Sequence, residues 1–304
     1  MWLLQVVTSF ASGTLGLHVP VRAAGKDLPP EVGDDMIDPP QNISAGLPPS
    51  YSIGTLVNDR AQYDAMCASF KGGGFTGPDC EYLASFDPKS AYDALNKLLA
   101  EARGQYVVLC HQDVRLLTDG RARLDQCLTD LEARDPNWAV AGNAGGLAPG
   151  ELALRITDPH GRDRHVGRLP ARVMSLDENF IVVRRDARIG FSRDLVGFHL
   201  YGADICLAAD ILGYRAYVID FHLEHLSPGR KDATFAEAEF AFRRKWTHAL
   251  RPRWLQTTCT LLHIGGGLMG PRLGRLLARP YQRLSRLTAR PGVWTPQRRE
   301  TGPR

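Results

Sequence analysis

No two of the six cysteines (Cys67, Cys80, Cys110, Cys127, Cys206 and Cys259) stand at the C-x2-C spacing of a structural zinc site or a redox dithiol. Their scatter excludes a small disulfide scaffold, and they read as reduced, mostly core thiols of a cytosolic protein. The glycine run Gly72 to Gly74 is not followed by G-K-[ST] and lacks G-x-G-x-x-G spacing, so it reads as a flexible loop rather than a phosphate cradle. No G-x-S-x-G nucleophile elbow is present either. No apolar run reaches the roughly 20 residues of a membrane span. The opening MWLLQVVTSFASGTLGL also lacks the basic n-region of a signal peptide, so no cleaved signal is expected. That segment reads equally as a strand packed on the body or as leader sequence.

With 304 residues, 44% of them hydrophobic, the chain has enough apolar material for the core of one domain of roughly 200 residues plus terminal extensions. The net charge of +4 conceals an asymmetry: residues 241 to 304 hold fourteen Arg or Lys against the single acid Glu300. A basic tail beside an acidic body fits contact with anionic lipid, nucleic acid or an acidic partner, nucleic acid being the least expected; a solvated tail fits equally. Residues 18 to 50 carry seven prolines and the acids Asp34, Asp35 and Asp38, a composition that resists helix. Three segments result: an N-terminal extension or linker over 1–50, a folded domain over 51–248 and a basic helical tail over 249–304.

From Tyr51 the pattern alternates. A β-type run, YSIGTLVND, precedes the helical stretch RAQYDAMCASF and a second strand, CEYLASFD. Ser90 is placed to N-cap SAYDALNKLLAEAR, in which Tyr92, Leu95, Leu98 and Leu99 recur at helical spacing, and Gly104 stops it. The strand QYVVLC follows, then a helix (RARLDQCLTDLEAR), a strand (NWAVAGNAG), a hairpin about DPHGRD and the strand ENFIVVRR. A helix, GADICLAADIL, ends at Gly213 before the strand YRAYVID. Such alternation implies an α/β fold, a mainly parallel sheet with helices on both faces, whose ligands bind beyond the carboxyl ends of the strands. KDATFAEAEFAFRRKW and onward reads as helical, and PRLGRLLARPYQRLSRL as a basic amphipathic stretch suited to anionic membrane, a partner or its own domain.

The most informative segment is QYVVLCHQDV, a strand running directly into His111, Gln112 and Asp113. An acid at a strand end can hold a divalent cation that neutralises a diphosphate leaving group; it can also simply cap a turn. DALNKLLAEARGQYVVLCHQDV resembles the core of family 2 glycosyltransferases of the GT-A (Rossmann-like) fold, in the subgroup that includes StrF-type proteins with H-Q-D in place of D-x-D. The resemblance covers roughly residues 51 to 248. It implies that Asp113 holds Mn2+ or Mg2+, with His225 of HLEHLS as a late metal or diphosphate contact. His222 lies three residues earlier and remains an alternative. His111 stands where many relatives have an acid, and an imidazole is the poorer ligand for a hard cation; it is equally suited to bonding the nucleotide.

In the same resemblance GFHLYGADICLAADILGYRAYVIDFHLEHLS corresponds to the acceptor side, with Asp204 at the position of the general base. Ala203 replaces the preceding acid, and an acid at a helix N-terminus also favours the helix dipole. Asn58, Asp59 and Asp87 match positions that recognise the nucleotide base and ribose, with Asn96, His111 and Gln112 in reach of the same donor site; turn formation competes at Asp59 and Asp87. Glu178, His199 and Tyr201 are acceptor-binding candidates. RRKW at Arg243 to Trp246 only partly echoes the Q-x-x-R-W of processive members, so transfer of a single sugar is expected. The implied partners are a nucleoside-diphosphate sugar donor and a glycan, lipid-linked or small-molecule acceptor, in the cytoplasm, with peripheral contact to the anionic inner face of the membrane through the tail. Two rivals remain: a non-catalytic GT-A-like module in membrane-associated or complex assembly, and a nucleotidyltransferase, which needs a basic glycine-rich loop that VNDRAQYDAM lacks.

Overall fold

The computed structural model describes residues 51–229, 233–256 and 261–264, with positions 276, 277, 280 and 284. The extension at 1–50 lies outside the described residues. The chain opens with β1 (Tyr51–Val57), α1 (Arg60–Gly72), β2 (Cys80–Phe86), α2 (Ala91–Glu101), β3 (Tyr106–His111) and β4 (Val114–Leu116). There follow α3 (Arg121–Arg134), β5 (Trp138–Gly142), β6 (Ala144–Ala148), β7 (Glu151–Asp158), β8 (Gly161–Val166), β9 (Ala171–Val173), β10 (Ser175–Leu176) and β11 (Phe180–Arg184). The last elements are α4 (Tyr201–Ile211), β12 (Arg215–Val218), β13 (Leu223–His225), α5 (Ala233–Leu250), β14 (Arg253–Gln256) and β15 (Leu261–Ile264).

Seven strands form the central sheet in the order β2-β1-β3-β11-β5-β12-β9. β1 is parallel to both β2 and β3, and β12 is parallel to β5. The sheet is not parallel throughout: β11, the strand of ENFIVVRR, runs antiparallel to β3 and β5. The reason is its approach: β6 to β10 lead into it through strand-to-strand turns, and a parallel return needs a crossover, usually a helix. The period-2 alternation of side chains gives the sheet two apolar faces. Val108 and Cys110 of β3 pack with Met66 and Phe70 of α1 and Leu124, Leu128 and Leu131 of α3. Val107 and Leu109 pack with Leu95 and Leu98 of α2 and Ile205 and Ala209 of α4. Each fully buried Leu or Ile contributes roughly 1.5–3 kcal/mol, so the two layers dominate the stability of the domain.

Ser90 does not cap α2 with its side chain. Its hydroxyl instead accepts from the Gly197 N–H (3.2 Å) and lies 3.5 Å from the Gly197 carbonyl, tying α2 to the loop before α4. α2 ends at Glu101, ahead of Gly104, whose role is close approach: a Cβ there would sit 2.5 Å from the Ser52 nitrogen.

A second sheet, β10-β6-β7-β13-β4 with β8 on the side of β7, was not anticipated from sequence. The DPHGRD turn does join β7 to β8 as a hairpin. β13 pairs antiparallel with β4, bringing His225 opposite Val114, directly beside the end of β3. The helical reading holds for α5 and fails beyond it, where β14 and β15 pair with each other within the segment expected as helical tail. Of the amphipathic stretch, only positions 276, 277, 280 and 284 are described, all helical; the rest lies outside the described residues.

Candidate metal and nucleotide site

β1, β2 and β3 end on the same edge of the sheet, and the polar residues that follow them meet there. Gln112 accepts at Oε1 from the backbone N–H groups of Asn58 and Asp59, both at 3.0 Å, and its amide donates to the Asn58 side chain. The Asp87 N–H donates to the Val57 carbonyl (2.8 Å), which places Asp87 beside Asn58; its backbone is left-handed, φ 45°. Asp59 caps α1, accepting from the Gln62 N–H at 3.1 Å. Arg115 braces the turn, bonding the Gln112 and Val114 carbonyls at 3.0 and 2.8 Å and the Gln62 side chain at 2.7 Å. Asn58, Asp59, Asp87 and Gln112 thus form one polar rim.

Asn96 is not part of that rim. Its amide donates to the Phe191 carbonyl (3.0 Å) and accepts from the Phe191 N–H (2.9 Å), so both ends are spent clamping the loop after β11.

His111, Asp113 and His225 each offer a ligand atom within 4.8 Å of the others. His111 Nδ1 lies 3.1 Å from His225 Nε2, and Asp113 Oδ1 is 3.4 Å from His225 Nε2 and 4.0 Å from His111 Nδ1. The Leu226 N–H donates to the Asp113 carbonyl (3.1 Å), fixing the end of β13 to the H-Q-D turn. His222 points elsewhere, its Nε2 at 2.9 Å from the Thr157 hydroxyl on β7, so the ambiguity between the two histidines resolves towards His225. Ser227, which the sequence reading missed, has its hydroxyl 3.2 Å from His225 Nε2.

The far side of His111 is also held. Its Nε2 lies 2.8 Å from the Tyr201 hydroxyl, which donates in turn to the Glu178 carbonyl at 3.2 Å. With that hydroxyl proton committed, the imidazole Nε2–H is the donor and the Nδ1 lone pair is left facing the cluster, the tautomer a metal ligand needs. Tyr201 is buried, so it positions His111 rather than meeting an acceptor.

Burial lowers the His111 pKa, and the neighbouring His225 lowers it further, against Asp113 and Asp177. The His111 side chain is nonetheless 37% exposed, which describes the floor of a cleft: densely surrounded yet open on one side. Burial would raise Asp113, but the hydrogen bond and charge of His225, with Ser227 and His111, outweigh it and hold the carboxyl below the usual range. Two imidazoles beside a carboxylate are a donor set for a divalent cation.

Two acids lie near the N-terminus of α4, and their surroundings differ. Asp204 is 0% exposed, accepting from the Ser192 N–H and hydroxyl (both 2.7 Å) and from the Trp246 indole N–H (3.0 Å). Burial raises its pKa in spite of these bonds. So placed, it ties α4 to the loop at Ser192 and to Trp246 of α5. Glu178 lies half-buried at the same helix end, 3.5 Å from the Gly202 N–H. Burial first, and Asp177 second, push its carboxyl up to about 8 against the backbone N–H groups of Gly202, Tyr201 and Leu200. Gly202 is required by the packing, since a Cβ there would lie 2.3 Å from the Leu176 carbonyl oxygen and 3.3 Å from Glu178 Cγ. His199 contacts α5, its Nε2 at 3.2 Å from the Thr234 hydroxyl and its ring edge-on to Phe235.

No protein-family profile matches the chain. A protein of Fuscovulum blasticum described as "ATP synthase subunits region ORF 6" is 37% identical over 227 residues, spanning 71% of this chain and 91% of that protein. Among solved structures, the mannosyltransferase PcManGT from Pyrobaculum calidifontis, in complex with GDP-Man and Mn2+, aligns over 66% of this chain and 65% of its own, at 13% identity and a TM-score of 0.47. A197 from STIV aligns over 58% of this chain and 85% of its own, at 12% identity and a TM-score of 0.37.

Proposed function

The chain belongs to the family of the Fuscovulum blasticum protein described as ATP synthase subunits region ORF 6, and we propose that it is a glycosyltransferase moving one sugar from a nucleoside diphosphate to an acceptor hydroxyl. The observation that carries this reading is the His111–Asp113–His225 cluster at the carboxyl ends of the parallel strands, next to the Asn58–Gln112 rim. Open α/β sheets bind ligands at that edge. A nucleotide on the rim places its diphosphate over the cluster, in accord with the sequence resemblance to family 2 glycosyltransferases.

Two imidazoles and one carboxylate suit Mn2+ better than Mg2+, which prefers an all-oxygen octahedron. A bound Mn2+ would supply charge neutralisation for the departing diphosphate. The chain's own residues do the rest. Gln112 and Asn58 orient the donor, Tyr201 holds His111 in its ligating tautomer, and Glu178 receives the proton of the acceptor hydroxyl. As that oxygen bonds to the anomeric carbon, the bond from carbon to the diphosphate oxygen breaks and the nucleoside diphosphate leaves. Attack from the side opposite the leaving group inverts the anomeric centre. Glu178 takes the base role first assigned to Asp204 because its side chain is partly exposed, while Asp204 is enclosed.

Calorimetric titration with nucleoside diphosphates and their sugar conjugates, with Mn2+, Mg2+ or chelator, tests the reading. Binding of one nucleotide that needs Mn2+ and disappears in Asp113→Ala is the expected result. The absence of binding to every member of the panel would favour a non-catalytic module.

A further inference from the structure

α5 and the loop between β11 and α4 run alongside each other. Lys245 pairs with Asp194, and nearly three turns earlier Thr234 meets His199, so the loop crosses the helix antiparallel between these ties. A cavity of about 380 Å3 opens between them, lined by Asp194, Leu195, Ala241, Arg244, Lys245 and His248. Its size lies at the low end of ligand pockets, which span roughly 300–1,000 Å3. Asp194 is already paired with Lys245, whereas the Arg244 and His248 side chains have no polar partner among the described residues.

Exposed apolar side chains stand on both segments that line the cavity. On the loop Val196 is 70% exposed and Phe198 is also exposed; on α5 Phe240 is 69% exposed, one helical turn before Arg244, and Leu250 is exposed at its end. Basic side chains around a cavity, with large apolar groups beside them, are the composition of a face that sits in a lipid headgroup layer. Duplex nucleic acid offers charge but nothing to reward Val196, Phe198 and Phe240. No helix among the described residues is long and apolar enough to cross a membrane, so contact of this kind is peripheral.

We propose that this face of α5 and the adjoining loop docks on an anionic lipid bilayer, the cavity beside Arg244 receiving a headgroup phosphate and Val196, Phe198 and Phe240 entering the interface. The composition of the chain from 241 onward, fourteen basic residues against one acid, complements the same negative surface.

The test is sedimentation of the full-length protein with vesicles of phosphatidylcholine alone and with about 30% phosphatidylglycerol, where each basic group is worth roughly fivefold in partitioning. The expected result is binding to the anionic vesicles only, weakened at least roughly tenfold by Arg244→Glu, a change of two charges, and several-fold by Phe240→Ser. Both positions are exposed, so neither substitution disturbs the core, and an unchanged melting temperature checks this. Absence of vesicle binding, equal binding to neutral vesicles, or anionic binding indifferent to both substitutions overturns the proposal. So does tighter binding to duplex DNA that depends on Arg244 but not on Phe240.

Discussion

Replacing Glu178 by Gln should make the protein more stable and inactive at once, and the size of the gain should depend on pH. In the unfolded chain this carboxyl titrates near its ordinary 4.5, whereas burial in the cleft raises it to about 8 in the fold. A group raised by folding contributes fully below its unfolded pKa, and that contribution is lost as pH climbs towards the folded value. At pH 7 the unfolded chain is ionised and the folded one keeps its proton, a cost of about 3 kcal/mol from 1.36 kcal/mol per unit. At pH 5 the same comparison leaves only about 1 kcal/mol. Gln is neutral throughout and escapes both. At roughly 2–4 °C per kcal/mol for a domain of this size, the variant should melt about 6–12 °C higher than the parent at pH 7 and about 2–4 °C higher at pH 5. Thermal melts in chelator, on both proteins at both pH values, measure it. An equal difference at the two pH values, or a variant less stable at pH 7, would falsify the assignment of a buried, proton-holding Glu178. The parent's turnover should meanwhile rise with pH as the carboxylate form appears, and the variant should show none.

Asp204→Asn should behave in the opposite way: its amide cannot accept from both Ser192 donors and Trp246 together, so stability should fall by about 1–3 kcal/mol in chemical denaturation, while the folded fraction retains turnover. Loss of all activity in well-folded Asp204→Asn would restore that residue as the base. Tyr201→Phe removes the bond that sets the His111 tautomer, and calorimetry should show Mn2+ affinity reduced about 10- to 100-fold. Gly202→Ala brings a methyl group against the Leu176 carbonyl and should lower the melting temperature and displace Glu178, seen as lost acceptor turnover with donor binding intact. Asn96→Ala frees the Phe191 loop; it should destabilise the fold and leave nucleotide affinity unchanged.

The parallel strands and their helices were legible in the sequence because each buries on both faces or along one stripe. β3 is apolar at every position from Tyr106 to Cys110, and α2 repeats Tyr92, Leu95 and Leu98 on one side. The second sheet was not legible. Its strands are short, Gly-rich or polar: AGGLA in β6 and GRDRHV in β8 show no clean alternation, and β10 has only two residues. Their pairing is fixed by tertiary contact rather than by local preference. β14 and β15 fell within the segment read as a helical tail, each only four residues long and paired, among the described residues, only with the other.

At the site, the sequence pointed to Asp113 and His225 as metal ligands and left His111 between metal and nucleotide; two strand ends and a short β-ladder bring all three together. Choosing between Asp204 and Glu178 needed something no motif supplies, namely which carboxyl faces the cleft. Asp204 lies on the inward stripe of α4 with Ile205, and Trp246 from α5 closes over it. The tryptophan of RRKW is thus the donor that covers this acid. Glu178 ends the loop before β11, where the antiparallel pairing with β3 sets Asn179 against His111, its carbonyl accepting the His111 N–H at 3.0 Å. The antiparallel course of β11 is thus what carries the proposed base to the end of β3 beside His111 and Asp113. Had β11 run parallel to β3, Glu178 would have opened at the opposite edge of the sheet and Asp204 would have had no competitor.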